Sequence, residues 1–108
     1  MNLEVKPFTI NIRLQLKDYR MRVIQTYLSD QMEIFTITGG NKKIHVQSNR
    51  PFWRNRGLNK HKIKWQVIQG TVNYMSAFEL VIKEIESVIK FIENPPFDWK
   101  NHPKNNPY

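Results

Sequence analysis

The sequence predicts an α+β domain: an antiparallel meander sheet of about five strands, with one C-terminal helix packed across one face of the sheet. Three observations predict this class. Residues 8–16 alternate apolar and polar side chains, further segments rich in β-branched and aromatic residues follow behind short turn signals, and one apolar stripe has helical spacing. We expect a single domain at residues 1–93 and an extended, Pro/Asn-rich tail at residues 94–108.

The strands follow one another through short connections, which is typical of a meander. In the first strand, residues 8–16, one face is entirely apolar, with Phe8, Ile10, Ile12, Leu14 and Leu16. Residues 17–20 are predicted as a turn, and Gly39-Gly40 as the turn of a later hairpin, since glycine favours the positive φ of such turns. The second strand changes phase at Ile24, which indicates a bulge or burial on both faces. The remaining strands are predicted at residues 20–28, 32–38, 42–48 and 62–72.

Residues 76–93 are predicted to form the helix. Their apolar side chains recur at spacings of four and three along a single stripe of Phe78, Ile82, Ile85, Ile89 and Ile92. Asn94-Pro95-Pro96 ends this helix, because proline lacks the amide donor and restricts the residue before it. Residues 49–61 break every period and are predicted to form a long irregular loop, a type of connection that is more often functional than a short turn.

The positive charge is concentrated in the middle of the chain. The chain has 17 Lys and Arg against nine Asp and Glu, a net charge of +8. No acid occurs in residues 34–78, which contain eight of the bases, whereas the rest of the chain is balanced. A local excess of this kind produces a field that attracts an anionic partner.

The predicted loop combines this charge with aromatic side chains. Arginine is suited to phosphate, the aromatic rings to stacking on unpaired bases, and the lysines to following a backbone. We therefore expect a non-catalytic module that binds single-stranded DNA or RNA, or structured RNA. The binding residues predicted for it are Arg50, Trp53, Arg54, Arg56, Lys60, Lys62 and Lys64.

Two alternatives stay open from the sequence. Phe52, Trp53 and Leu58 can instead anchor the loop to the core, which leaves its charges as a solvated rim. The protein can also be an adaptor or regulator that binds an acidic protein surface, dimeric through its sheet edges or faces.

Other classes of function lack support in the sequence. There is no cysteine, and the histidines have no ligand-pair spacing, so we expect no metal site and no cofactor. No catalytic motif occurs, which predicts that the protein is not an enzyme. A secretory signal and a membrane-spanning run are both missing from the given sequence, which favours a cytoplasmic location.

The predicted layout, a meander followed by one helix, is similar to the repeat of purine-rich single-strand-binding proteins. This resemblance concerns the order of the elements only, so it assigns no role to any residue.

Overall fold

The computed structural model describes residues 3–58, 60–72 and 75–95. Neighbouring strands pair antiparallel in the order β1-β2-β3-β4-β5, which confirms the predicted meander and the α+β class. The elements are β1 (Phe8–Leu14), β2 (Lys17–Leu28), β3 (Glu33–Gly39), β4 (Lys42–Ser48), α1 (Arg50–Arg54), β5 (Trp65–Gln69) and α2 (Met75–Glu93).

The core lies between one face of the sheet and α2. Because side chains alternate along a strand, the apolar residues of each strand point to the same side, where the helix packs. Phe35, Val23 and Val46 are fully buried at the centre of this face, and Ile85 is fully buried on the facing side of α2. The Phe35 and Trp65 rings lie 5.9 Å apart between their centroids, and Trp65 Nε1 donates to Glu86 of α2.

The first hairpin turns two residues earlier than the alternating pattern predicts. Leu14 pairs with Lys17, so Gln15 and Leu16 form the turn, and the prediction that Leu16 continues the apolar face of the strand is wrong. The pairing continues to the tip, where Arg13 and Asp18 face each other and form an ion pair of 3.1 Å. A strict period of two does not show where a tight turn interrupts it.

Two irregularities shape the strands. The phase change predicted in the second strand is a β-bulge between Gln25 and Tyr27. The fifth strand is shorter than predicted and ends before Gly70, which has a φ of +100°. A Cβ atom at Gly70 would lie 2.7 Å from Ile44 Cγ2, so only glycine fits this close approach.

The predicted long loop is wrong at its start, where residues 50–54 form α1. Pro51 lies in the first turn of this helix, a position where proline costs no hydrogen bond and its fixed φ suits the helix. Pro51, a loop signal by sequence pattern, is here part of the start of a helix. Both Arg50 and Pro51 are buried.

The predicted C-terminal helix is confirmed as α2. Ile82, Ile85 and Ile89 of the stripe are buried, but Ile92 in the last turn is 48% exposed. No helix within the described ranges has the length and apolar character needed to cross a membrane. Most of the tail predicted at 94–108 lies outside the described residues.

A buried ion pair joins the sheet to α1. Glu33 of β3 and Arg50 have 0% and 2% of their side chains exposed, and two hydrogen bonds of 2.6 and 2.7 Å connect them. The Glu33 carboxylate and the Arg50 guanidinium also form hydrogen bonds with other residues. Ser48 Oγ donates to Glu33 at 2.5 Å, and Arg50 donates to Glu93 of α2 at 2.9 Å and to the Leu3 carbonyl at 2.8 Å.

Burial alone would lower the pKa of the Arg50 guanidinium, but its hydrogen bonds to Glu33 and Glu93 and their negative charges outweigh burial. The pKa of Arg50 therefore lies above its ordinary value, and this side chain stays charged. Arg54 adds two longer contacts of 3.3 Å to Glu93. The network ties the N-terminal segment, β3, β4, α1 and the end of α2 together.

We predict that Arg50→Gln destabilises the protein by about 3–5 kcal/mol, because it leaves the Glu33 carboxylate buried without its ionic partner. Urea unfolding measures this loss. The exposed pair of Arg13 and Asp18, with 62% and 74% of their side chains exposed, provides the control. Arg13→Gln should cost well below about 1 kcal/mol. Similar losses for both variants would contradict the importance of the buried network.

Candidate nucleic-acid interface

The structure directs two of the predicted binding arginines into the protein. Arg50 is 2% exposed, and each of its three guanidinium nitrogens donates a hydrogen bond within the network. Arg54 is 13% exposed, contacts Glu93 and donates to the Leu58 carbonyl. These side chains are committed to Glu33, Glu93 and the main chain, so they are unavailable to an external phosphate.

The aromatic residues of the predicted loop pack on their neighbours. The Trp53 ring lies edge-on against Phe52 at 4.8 Å and stacks on His61 at 4.1 Å. Its Nε1 atom is buried and has no hydrogen-bond partner in the described part of the chain. The Arg56 guanidinium lies 3.6 Å above the Phe52 ring and donates to the Phe52 carbonyl. Other side chains of the protein therefore cover part of the Phe52 and Trp53 rings.

The three predicted lysines are exposed, but they do not share one surface. Lys60 and Lys62 line a cleft between the N-terminal segment and the C-terminal half of α2. The same cleft is lined by bases and acids alike: Arg50, Arg54 and Lys90 together with Glu4, Glu86 and Glu93. Because Arg50 and Arg54 are paired with Glu93, they add little to the attraction of a polyanion. Lys64 precedes Trp65, which packs against the core, and by alternation it points to the opposite side of the sheet.

That opposite side, the open face, is the sheet face turned away from α2. Its residues alternate with those of the core. In one row across the sheet, Arg22 pairs with Thr38 and Thr38 pairs with Lys43. Two strand spacings separate Arg22 from Lys43, which corresponds to about 10 Å. Arg20 lies on the same face, two residues nearer to the first hairpin tip.

Within the described ranges these three cations form no ion pair. Arg20, Arg22 and Lys43 are exposed, and none of the ion pairs among the described residues involves them. Asp18, two residues before Arg20 on β2, already pairs with Arg13. The described structure therefore brings together cations that are solvated and not neutralised.

Charge is distributed unequally over the molecule. The hairpin end, which we define as residues 13–22 and 38–43, contains six bases and one acid: Arg13, Lys17, Arg20, Arg22, Lys42 and Lys43 against Asp18. Helix α2 contains four acids and two bases. An anionic ligand is consequently attracted to the hairpin end and the open face rather than to the helix.

The centre of the open face is polar and ordered by hydrogen bonds. Thr36, 8% exposed, contacts His45 Nδ1 at 2.8 Å and Thr26 Oγ1 at 3.2 Å, which holds the imidazole in place. Tyr27 lies on the same face beside Ile34 and is 50% exposed. A sheet surface with an exposed ring, an oriented imidazole and nearby cations suits unpaired bases and their phosphates.

Arg20, Arg22 and Tyr27 are not among the binding residues predicted from the sequence. The arginines lie outside the acid-free window of residues 34–78, which drew attention to the middle of the chain. A signal was present, since Asp18 is the one acid between residues 5 and 29, which contain five bases. Assigning Arg20 and Arg22 to the same strand face, opposite Met21 and Val23, would have identified them.

Within residues 3–58, 60–72 and 75–95, no group of three or more His, Cys, Asp or Glu could hold a metal ion. Comparisons with protein-family models, with curated proteins and with solved structures found no match to this chain. The candidate interface therefore depends on its own geometry and charge.

We predict that Trp53→Ala lowers the stability of the protein by about 2 kcal/mol or more, because it removes a ring packed between Phe52 and His61. Its effect on nucleic-acid affinity should be small. Thermal unfolding and an oligonucleotide titration measure the two effects separately. Unchanged stability together with a large loss of affinity would show instead that Trp53 stacks on a base.

Proposed function

We propose that this protein is a non-catalytic module that binds single-stranded nucleic acid, or unpaired segments of structured RNA, through the open face of its sheet. The phosphates lie against Arg20, Arg22 and Lys43 at the hairpin end. Lys64 provides a further cation about 20 Å away along β4, at the opposite end of the same face. Arg56, Lys60 and Lys62 lie near that end as exposed, peripheral cations.

One observation carries this proposal: the cations of the open face have no internal acidic partner in the described residues, whereas the arginines of α1 do. Retaining unpaired cations on one face has a cost in mutual repulsion, which an anionic ligand relieves. Most of the affinity then comes from phosphate contacts and depends on salt concentration.

The shape of the surface favours unpaired strands over a duplex. Unpaired bases can lie against a sheet face and stack on aromatic side chains that project from it. On the open face, Tyr27 and His45 provide these rings. Gln47 and Gln66 face each other across β4 and β5 on the same side, and their amides can donate to and accept from base edges. Reading base edges in this way requires bases that are not paired.

A second candidate function is a protein-interaction module. It is favoured by apolar side chains on or beside the open face, since Ile24 and Ile68 are 37% and 43% exposed. A second copy of the chain could cover them by packing face to face. Light scattering tests this alternative, because a monomer at micromolar concentration would remove the dimer from consideration.

We predict that the double variant Arg22→Gln/Lys43→Gln weakens binding of a labelled single-stranded oligonucleotide. Loss of two phosphate contacts should reduce the slope of log K against log salt by about 1.4. Titrations at several salt concentrations measure this slope. The matched control is Lys83→Gln/Lys90→Gln, which removes the same charge from exposed positions of α2.

The control should retain the parent slope. Equal losses in both double variants would mean that net charge alone drives the binding, without a defined site. A larger loss in Lys62→Gln/Lys64→Gln than in Arg22→Gln/Lys43→Gln would place the ligand at the end of the sheet near α1. Absence of binding by the parent protein at low salt would contradict the proposed function.

A further inference from the structure

The tip of the first hairpin presents an exposed leucine on a strained backbone. Leu16 is 87% exposed, the largest exposed fraction among the large apolar side chains of the described residues. Gln15 and Leu16 have φ values of 50° and 66°, in the left-handed region that glycine and asparagine favour. For a bulky residue such as leucine this conformation is an unfavourable outlier.

The packing of the fold does not explain why a leucine occupies position 16. Its side chain is not part of the core cluster, so burial does not offset the backbone strain. Asparagine or glycine would form the same two-residue turn at lower cost, as Gly40 does in the neighbouring hairpin with a φ of 59°. Strain that the fold does not require points to a role for this position in contact with a partner.

The surroundings of Leu16 indicate the chemistry of that partner. Lys17 follows it directly and lies 5.3 Å from the Tyr19 ring, and Arg20 lies on the same hairpin. Arg20 is four residues from Leu16, about 13 Å along the strand, so a nucleic-acid strand on the open face would pass close to the tip. The Arg13–Asp18 ion pair lies between the tip and Arg20, so Leu16 is an apolar tip with Lys17 beside it and Arg20 beyond that ion pair. Such a combination of an apolar side chain and nearby cations suits the stacked bases inside a phosphate backbone.

We propose that Leu16 is a wedge that stacks on the terminal base pair of a duplex, so that the preferred ligand is a junction between single-stranded and base-paired segments. This proposal rests on the proposed function. The open face holds the unpaired strand, and the hairpin tip contacts the point where pairing begins. Apolar side chains inserted at base steps are known devices of nucleic-acid recognition, and leucine is among the residues used.

The test compares Leu16→Asn with the parent protein on two oligonucleotides, a single strand and the same strand continuing into a short hairpin duplex. Asparagine accepts the left-handed conformation, so the variant should melt at the same temperature or higher. The parent should prefer the junction by roughly five- to tenfold, and Leu16→Asn should lose this preference while its single-strand affinity is retained.

A base analogue that fluoresces on unstacking, placed at the terminal pair, provides a second readout. Its signal should change with the parent and not with Leu16→Asn. The control Phe91→Gln removes another exposed apolar side chain, 60% exposed on α2, and should behave like the parent.

Several outcomes would overturn the wedge. If the parent binds both oligonucleotides equally, or Leu16→Asn keeps the preference, the wedge is wrong and the proposed function stands. If the parent binds neither, both proposals fail. If Leu16→Asn unfolds more easily and loses all binding, Leu16 is a structural residue. Leu16-dependent binding to anionic lipid vesicles, without junction preference, would assign the tip to a membrane surface.

Discussion

The buried ion pair between Glu33 and Arg50 is the interaction on which the arrangement of this protein depends. A carboxylate and a guanidinium removed from water are tolerated only when nearly all their hydrogen-bonding capacity is used. Here Gln25 and Ser48 donate to Glu33, and Glu93 and the Leu3 carbonyl accept from Arg50. This requirement brings α1, the end of α2 and the N-terminal segment to one end of the sheet, where each supplies a partner.

The same interaction determines which charges reach solvent. The positive charge that residues 34–78 present to solvent is reduced, because Arg50 and Arg54 point inward and pair with acids that lie far away in sequence. Arg20 and Arg22 of the first hairpin, which lie outside the acid-free window, form no ion pair with the described residues and stay exposed on the open face. The proposed binding site therefore lies at the hairpin end, where these cations are exposed, rather than in the predicted loop.

Local patterns predicted most of the fold. Alternation identified β1 and β4, and the spacing of three and four identified α2, because both periods follow from the geometry of the backbone. The turn at Gln15-Leu16 was not predictable in this way, since the polar Gln15 and apolar Leu16 continue the strand pattern through the tip. Helix α1 was not predicted because five residues are too few to show a helical period. Proline is also common both in loops and in the first turn of a helix, so Pro51 did not decide between them.

The candidate site was harder to predict than the fold. Arg50 pairs with acids 17 and 43 residues away, and no local pattern reveals such partners. Arg20 and Arg22 become part of a surface only when β2, β3 and β4 are placed in register, which brings Lys43 opposite Thr38. Charge counted along a chain thus identifies candidate residues, whereas pairing and register decide which of them stay free.

The most direct test of this account is an NMR titration of the labelled protein with a single-stranded oligonucleotide, observing every backbone amide. We expect the largest shifts at the hairpin end and along the open face, around Arg22, Lys43 and His45, with α2 nearly unchanged. Shifts concentrated in α2 or in the cleft lined by Lys60 and Lys62 would contradict the account, as would the absence of any shift at low salt.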